Sequence, residues 1–359
     1  MFLNLLPLLL SFLTFSLFRF SLGIATPRII VELSLNPIQT GFIFSSNLIS
    51  MVLGMVLINK LRLNSSKLFL LSSGIISFSL ILLSFSWDYL SLILSVVLMG
   101  LGSGLLNPLF FFLMSEVSQS KKGLMLGIGN VIYSLGGVLG PPMMAFTLDR
   151  WRYTFLSYGL LALISIILSF KGIPSFKRSS HKAKGIFILN VCMFFSNFSF
   201  VILISWVPVF LSHMMDISLV GLSFLFFSLL GAIGSLTMGI LSDKWGRENV
   251  FILSNLISSL LSFLYLAKVK EFLFLQTSLL GFFSVPFWIL LTLMAQERVE
   301  EKLSVTALIQ TSALLGGLIS PLILGLLLPY INMETLIGLL VGLPFFLSAL
   351  LIKIKPSSS

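Results

Sequence analysis

Apolar stretches long enough to span a bilayer alternate with short polar breaks along the whole chain, and the alternation repeats twelve times. The stretches fall near residues 4–31, 38–58, 67–86, 89–115, 122–148 and 153–172, then near 185–212, 219–241, 248–267, 271–296, 302–330 and 334–352. Crossing a hydrocarbon core about 30 Å thick takes roughly 20 apolar residues in a helix, so each stretch predicts one crossing. The pattern predicts an all-α integral membrane protein of about twelve transmembrane helices in two six-helix bundles. The longest polar stretch, Gly172 to Gly185, lies at the chain midpoint and is rich in Ser and Lys, as an exposed linker should be. It divides the chain into a first bundle at 1–172, a basic linker at 173–184 and a second bundle at 185–359.

Composition agrees with the bilayer. Of 359 residues, 57% are hydrophobic and 9% charged, against about 45–50% and about 25% in soluble domains. The opening stretch has no basic leader and no small-residue cleavage site nearby, so it reads as a retained first helix rather than a signal peptide. The net charge of +10 is scattered over short loops rather than gathered on one stripe, which argues against nucleic acid as a partner. Of the 22 Lys and Arg, sixteen fall in loops and a tail on one side of the predicted topology, five on the other, and Arg19 lies inside a helix. The positive-inside rule then predicts a multi-pass cell-membrane protein with both termini cytoplasmic.

Cys192 lies in an apolar run and reads as packing. His181 in the linker and His213 at a helix end have no ligand cluster around them, so neither a metal nor a cofactor is expected. An enzyme acting on lipid-linked substrates would need clustered carboxylates, His or metal ligands near the interface, and the chain offers none.

The halves repeat each other. SLGGVLGPPM at Ser134 to Met143 matches LLGGLISPLI at Leu314 to Ile323, an offset of 180. In the same register Gly41 falls opposite Gly221, Met114 opposite Met294, Lys122 opposite Lys302 and Asn130 opposite Gln310.

GILSDKWGR, Gly239 to Arg247, occupies the predicted loop between the eighth and ninth spans. Asp243 can accept hydrogen bonds at a helix N-terminus, Gly246 permits a tight turn, and Arg247 offers a fork to a carboxylate. The stretch resembles the loop signature of the major facilitator superfamily. The resemblance implies a conformational latch of Gly239, Asp243, Lys244, Gly246 and Arg247, with Asp243 approaching the start of the fifth span near Gly123. The matching first-half loop, Ile58 to Lys67, keeps basic residues but lacks the acid and the glycine.

On the fifth span, Gly127, Gly136, Gly140 and Pro141 have the spacing of the family's antiporter-associated motif, with Met144 and Ala145 in place of its closing glycines. Small residues let helices approach closely and Pro141 can bend the span, so this face reads as packing or a hinge between the halves. It tilts the reading slightly toward export. GLGSGLLNP at Gly100 to Pro108, ahead of Glu116, and DRWRYTF at Asp149 to Phe155 also resemble the family, although Val96 replaces the usual fourth-span arginine.

Arg19 stands in the middle of the first span. A charge at that depth costs at least about 2.5–3.5 kcal/mol and needs a cavity or a partner. All 12 acidic residues fall near span ends or in loops, so an intrahelical ion pair is not offered; Glu32 and Glu116, at span ends, remain as proton carriers. The family resemblance makes the first span line a central cavity, where Arg19 would bind an anionic substrate group; holding backbone carbonyls is the structural alternative. Asn107, Asn197, Trp206 and Trp288 complete the implied substrate-binding set, against a role as interhelical ties. The expectation is a secondary transporter of a small organic solute working by alternating access, with export or antiport slightly ahead. Uptake of an organic anion and a non-transporting sensor are the alternatives. A monomer is expected, and a coupling ion is left open.

Overall fold

A computed structural model of the chain describes residues 5–61, 63–117, 122–169, 186–267, 269–298 and 302–353. The first half carries α1 (Leu6–Leu33), α2 (Pro37–Lys60), α3 (Ser65–Ser84), α4 (Tyr89–Val117), α5 (Lys122–Phe146) and α6 (Trp151–Ser169). The second carries α7 (Phe187–Ser205), α8 (Val207–Ser212), α9 (Ile217–Trp245), α10 (Arg247–Phe263), α11 (Lys270–Ser284), α12 (Phe287–Arg298), α13 (Lys302–Leu327) and α14 (Met333–Leu351). The described residues hold no strand. Eleven helical stretches among them are long and apolar enough to cross a membrane, and Val131–Phe146 of α5 is a shorter apolar helix. The predicted linker 173–184, with His181, lies outside the described residues.

Two of the predicted spans are interrupted. The seventh breaks at Trp206 between α7 and α8, just before Pro208, and the tenth breaks at Val285 and Pro286 between α11 and α12. A proline supplies no N–H to the carbonyl four residues back, so Pro286 leaves Phe282 without its helical donor. That carbonyl turns onto Gly234 of α9, where a side chain would collide with it. Three helix starts carry side-chain caps. Asn64 accepts from the Lys67 amide at 2.9 Å, Asp216 from the Ser218 amide at 2.8 Å, and Asp88 from the Ser91 amide at 2.8 Å. Side-chain acceptance at these positions satisfies amides that a helix start leaves unpaired. Gly246, at φ 85, makes the turn from α9 into α10 that a side chain would strain.

The chain forms two units, Met1–Asn36 with Ser46–Arg178, and Pro37–Ser45 with Ser179–Ser359. In the first, α1 packs on α5 and α6, and α3 on α4 and α6. In the second, α7 packs on α13 and α14, and α10 on α14, which is the same pairing one repeat later.

Each unit is sewn by glycines. In the first, a Cβ at Gly54 of α2 would run into the Leu101 carbonyl of α4, and one at Gly100 of α4 into the Asn47 carbonyl of α2. In the second, Gly234 of α9 meets Phe282 of α11, and Gly281 of α11 meets Phe227 of α9. Residues 54 and 234 lie 180 apart, and 100 and 281 lie 181 apart, so the sequence repeat is also a repeat of backbone contacts. Between membrane helices there is no hydrophobic drive to associate, and close backbone approach takes its place.

Buried hydroxyls add a second set of ties. Ser11 bonds Ser73 at 2.8 Å and Ser165 at 2.5 Å, joining α1, α3 and α6. Ser196 donates to Asn255 at 3.2 Å and bonds Ser348 at 2.9 Å, joining α7, α10 and α14. Ties of this kind average about 0.6 kcal/mol each in membranes.

Candidate functional site

Arg19 is the fourteenth of the 28 residues of α1 and is partly exposed. Its guanidinium faces the hydroxyl of Tyr133, near the middle of α5. The register of that pair is set by the helix contact beneath it. Gly136 closes on Ser16 and Leu17 of α1, Gly140 closes on Ser21 and Leu17, and the Ser16 hydroxyl donates to the Tyr133 carbonyl. The packing face expected of the fifth-span glycines is thus used within the first unit, against α1. The surroundings of Gly123 and Gly127, and the Glu116 side chain, lie outside the described residues.

Three rings approach that of Tyr133. Phe20 stands edge-on to Tyr133 at 5.4 Å between centroids, Phe15 lies at 6.1 Å and Phe12 at 6.2 Å. Phe12 stacks on Phe110 of α4 at 3.7 Å and meets the edge of Phe111 at 5.6 Å. Among the described residues no carboxylate forms an ion pair with Arg19. A guanidinium has five N–H donors, and a single neutral phenol balances none of its charge. One turn before Phe111 on the same helix, the side-chain oxygen of Asn107 is buried without a hydrogen-bond donor.

In the second unit, Asn197 of α7 donates from Nδ2 to the Ala313 carbonyl at 2.6 Å, and Trp206 donates its indole N–H to the Pro321 carbonyl at 3.1 Å. Both therefore tie α7 and its break to α13, and Trp206 is buried. The Asn197 oxygen has no partner. Trp288, partly exposed, follows the α11–α12 break with its ring 5.4 Å from that of Phe287.

Two charged knots stand apart from these groups. The Arg247 guanidinium reaches Asp243 at 3.5 Å and Glu297 of α12 at 2.6 Å, and beside it Arg298 reaches Glu248 at 3.0 Å. Lys244 is exposed, and nothing lies against Gly239. In the first unit, Glu32 at the end of α1 accepts from the Trp151 indole at 2.9 Å and from Arg152. Arg152 also donates to the Ser86 carbonyl at 2.7 Å, and its guanidinium lies 4.3 Å from the Trp151 ring centre. In the loop before α4, hydrogen bonds from Ser91, side chain and amide, hold the Asp88 carboxyl below its ordinary pKa.

Sequence reasoning passed over Tyr133, Glu297 and the Glu248–Arg298 pair. Each had a signal. Tyr133, Gly136 and Gly140 are spaced three and four apart, on one helical face. The dipeptides Arg247-Glu248 and Glu297-Arg298 are charge mirrors at the facing ends of neighbouring helices.

The family model described as Major Facilitator Superfamily matches residues 8–185 and again 186–359. Protein TsgA homolog of Buchnera aphidicola subsp. Schizaphis graminum is 24% identical over 332 residues, 87% of this chain and 85% of that protein. The 3-(3-hydroxy-phenyl)propionate transporter of Escherichia coli is 24% identical over 262 residues, 67% of this chain and 65% of that one. Among solved structures, a D-xylose-proton symporter superposes with TM-score 0.80 at 15% identity, covering 98% of this chain and 97% of the other. The nucleoside transporter NupG superposes with TM-score 0.76 at 14% identity, covering 99% and 100%. At such identities the structural likeness is one of fold.

Proposed function

The chain belongs to the major facilitator superfamily, a multi-pass membrane transporter and not an enzyme, and on that premise we propose that it moves a small organic solute whose anionic group is received by Arg19. The observation that carries the reading is the charge balance at mid-helix: a guanidinium whose described partner is the Tyr133 phenol and no carboxylate. A cation held at membrane depth without a counter-ion costs several kcal/mol, and a bound anion removes that cost. The planar fork suits a carboxylate or a phosphate. A relative named for 3-(3-hydroxy-phenyl)propionate transport is in keeping with an organic anion.

Transport runs by alternating access, the mode in which repeat halves expose one site in turn. The turn Gly239 to Arg247 serves as a latch whose closed form Arg247 stabilises through Glu297. Asn107 and Trp288 contact the solute, while Asn197 and Trp206 carry helix ties. Gly136 and Gly140 are engaged in closing α5 on α1, so their spacing lends no separate weight to export, and flux sets the direction. Both termini face the cytoplasm, on the strength of the basic-residue bias.

The test is thermal unfolding of the purified protein with anionic, cationic and neutral solutes, for wild type and Arg19→Ala, since a ligand of the folded state raises its stability. Stabilisation by anions in the wild type alone supports the reading, and flux in liposomes then separates a carrier from a sensor. Equal stabilisation of both proteins by the same anions refutes it.

A further inference from the structure

The surroundings of Arg19 say more about the solute than its charge. Tyr133 and Phe111 are both partly exposed, and the buried ring of Phe12 joins them, 6.2 Å from the first and 5.6 Å from the second. Three rings in series thus run from α5 across α1 to α4, with the guanidinium at one end. At the other, one helical turn from Phe111, the Asn107 oxygen is buried without a donor. A buried acceptor left without a donor is destabilising, so a ligand bringing an N–H or O–H to it is favoured. A sugar or other polyol needs several buried amides or carboxylates to replace its water, whereas the Tyr133 ring meets the rings of Phe12, Phe15 and Phe20.

Resting on the reading of Arg19 as an anion receptor, we propose that the solute is an aromatic carboxylate carrying a hydrogen-bond donor on its ring. The carboxylate takes the free N–H groups of Arg19. The ring packs against Tyr133 and Phe111, whose offset and edge contacts favour a flat π-system over a saturated ring of equal size. The donor on the ring reaches the Asn107 oxygen.

The probes are benzoate, cyclohexanecarboxylate, 4-hydroxybenzoate and 4-methoxybenzoate, titrated against the purified full-length protein by thermal shift and then used as competitors of flux in liposomes. Benzoate is expected to bind about 2–10-fold more tightly than cyclohexanecarboxylate, the worth of one aromatic pair. Phe111→Leu should narrow that preference while the carboxylate requirement stays. The hydroxy compound is expected to exceed the methoxy one by about fivefold, one hydrogen bond, and Asn107→Ala should remove the difference while benzoate still binds. Equal affinity for the saturated and aromatic acids overturns the proposal and leaves the anion reading standing. Binding of cationic or neutral solutes with no carboxylate bound overturns both.

Discussion

Arg247 holds Glu297 through two guanidinium nitrogens, Nη2 at 2.6 Å and Nε at 2.7 Å, both to one carboxylate oxygen. The contact pins the turn between α9 and α10 to the end of α12, fifty residues on. With Glu297 about half exposed, its worth to stability is small, about 0.2–1 kcal/mol. A latch must change with the transport cycle, so its removal should show in flux before it shows in melting. Glu297→Gln is expected to shift the melting temperature only slightly and to change the flux rate severalfold, and the exchanged pair Arg247→Glu with Glu297→Arg should recover part of that rate. Parallel losses in melting and flux would reduce the pair to a strut.

Tyr133→Phe removes the hydroxyl that holds Arg19 while keeping the ring. The protein should stay folded, and anion affinity should fall by about 2–10-fold, one hydrogen bond's worth. Maximal flux at saturating anion should change little, because Tyr133 positions the cation rather than replacing it. The measurement is concentration-dependent flux for wild type and variant in the same vesicles.

Gly54→Ala and Gly234→Ala should each destabilise by about 1–3 kcal/mol, since the new methyl meets a carbonyl of the neighbouring helix backbone. Gly74→Ala and Gly239→Ala provide the contrast. Nothing lies within 4 Å of a Cβ at either position, and inside a helix the change is worth up to about 1 kcal/mol of stabilisation. Detergent-solubilised melting curves of the four single variants decide it.

Trp206→Phe keeps an aromatic ring at the α7 break but leaves the Pro321 carbonyl without its indole donor. A loss of about 0.5–1.5 kcal/mol in stability follows from the lost hydrogen bond. Affinity for the solute should be unchanged, because the indole N–H is already committed to α13. A Kd that moves with this substitution while stability holds would return Trp206 to the binding set.

The Asp88 cap has an acid dependence of known sign. Its folded pKa lies below the unfolded value of about 3.9, so its contribution is fully present above that value and is lost as pH falls through the lower, folded one. Asp88→Ala should therefore melt earlier than wild type at neutral pH, with the gap constant down to about pH 5. Below about pH 4 the gap should narrow. Melting curves at a series of pH values give the comparison.

Span number and repeat were legible in the sequence because hydropathy acts over about twenty residues, and a helix cannot cross lipid without it. The breaks at Trp206 and Val285 were not, since an interrupted span is as apolar as a continuous one; Pro208 and Pro286 marked them, yet Pro27 and Pro108 sit inside unbroken helices. Arg19 stood out because a charge amid Phe and Leu has no local explanation. Its partner did not, because Tyr133 is an ordinary residue in a span and only the packing of α5 on α1 brings it near. Asn197 and Trp206 were visible as polar groups, but which side of the helix they served depended on where α13 lay.

The paired glycine seams preserve the duplication in an unusual medium. Leu101 in one half stands where Phe282 stands in the other, and Asn47 where Phe227 does, so the side chains at these crossings differ while the glycines facing them are the same. What the two halves share there is a vacancy one atom wide. Any residue added to it parts two helices, and so the ancestry of the protein is written most durably in the atoms it never acquired.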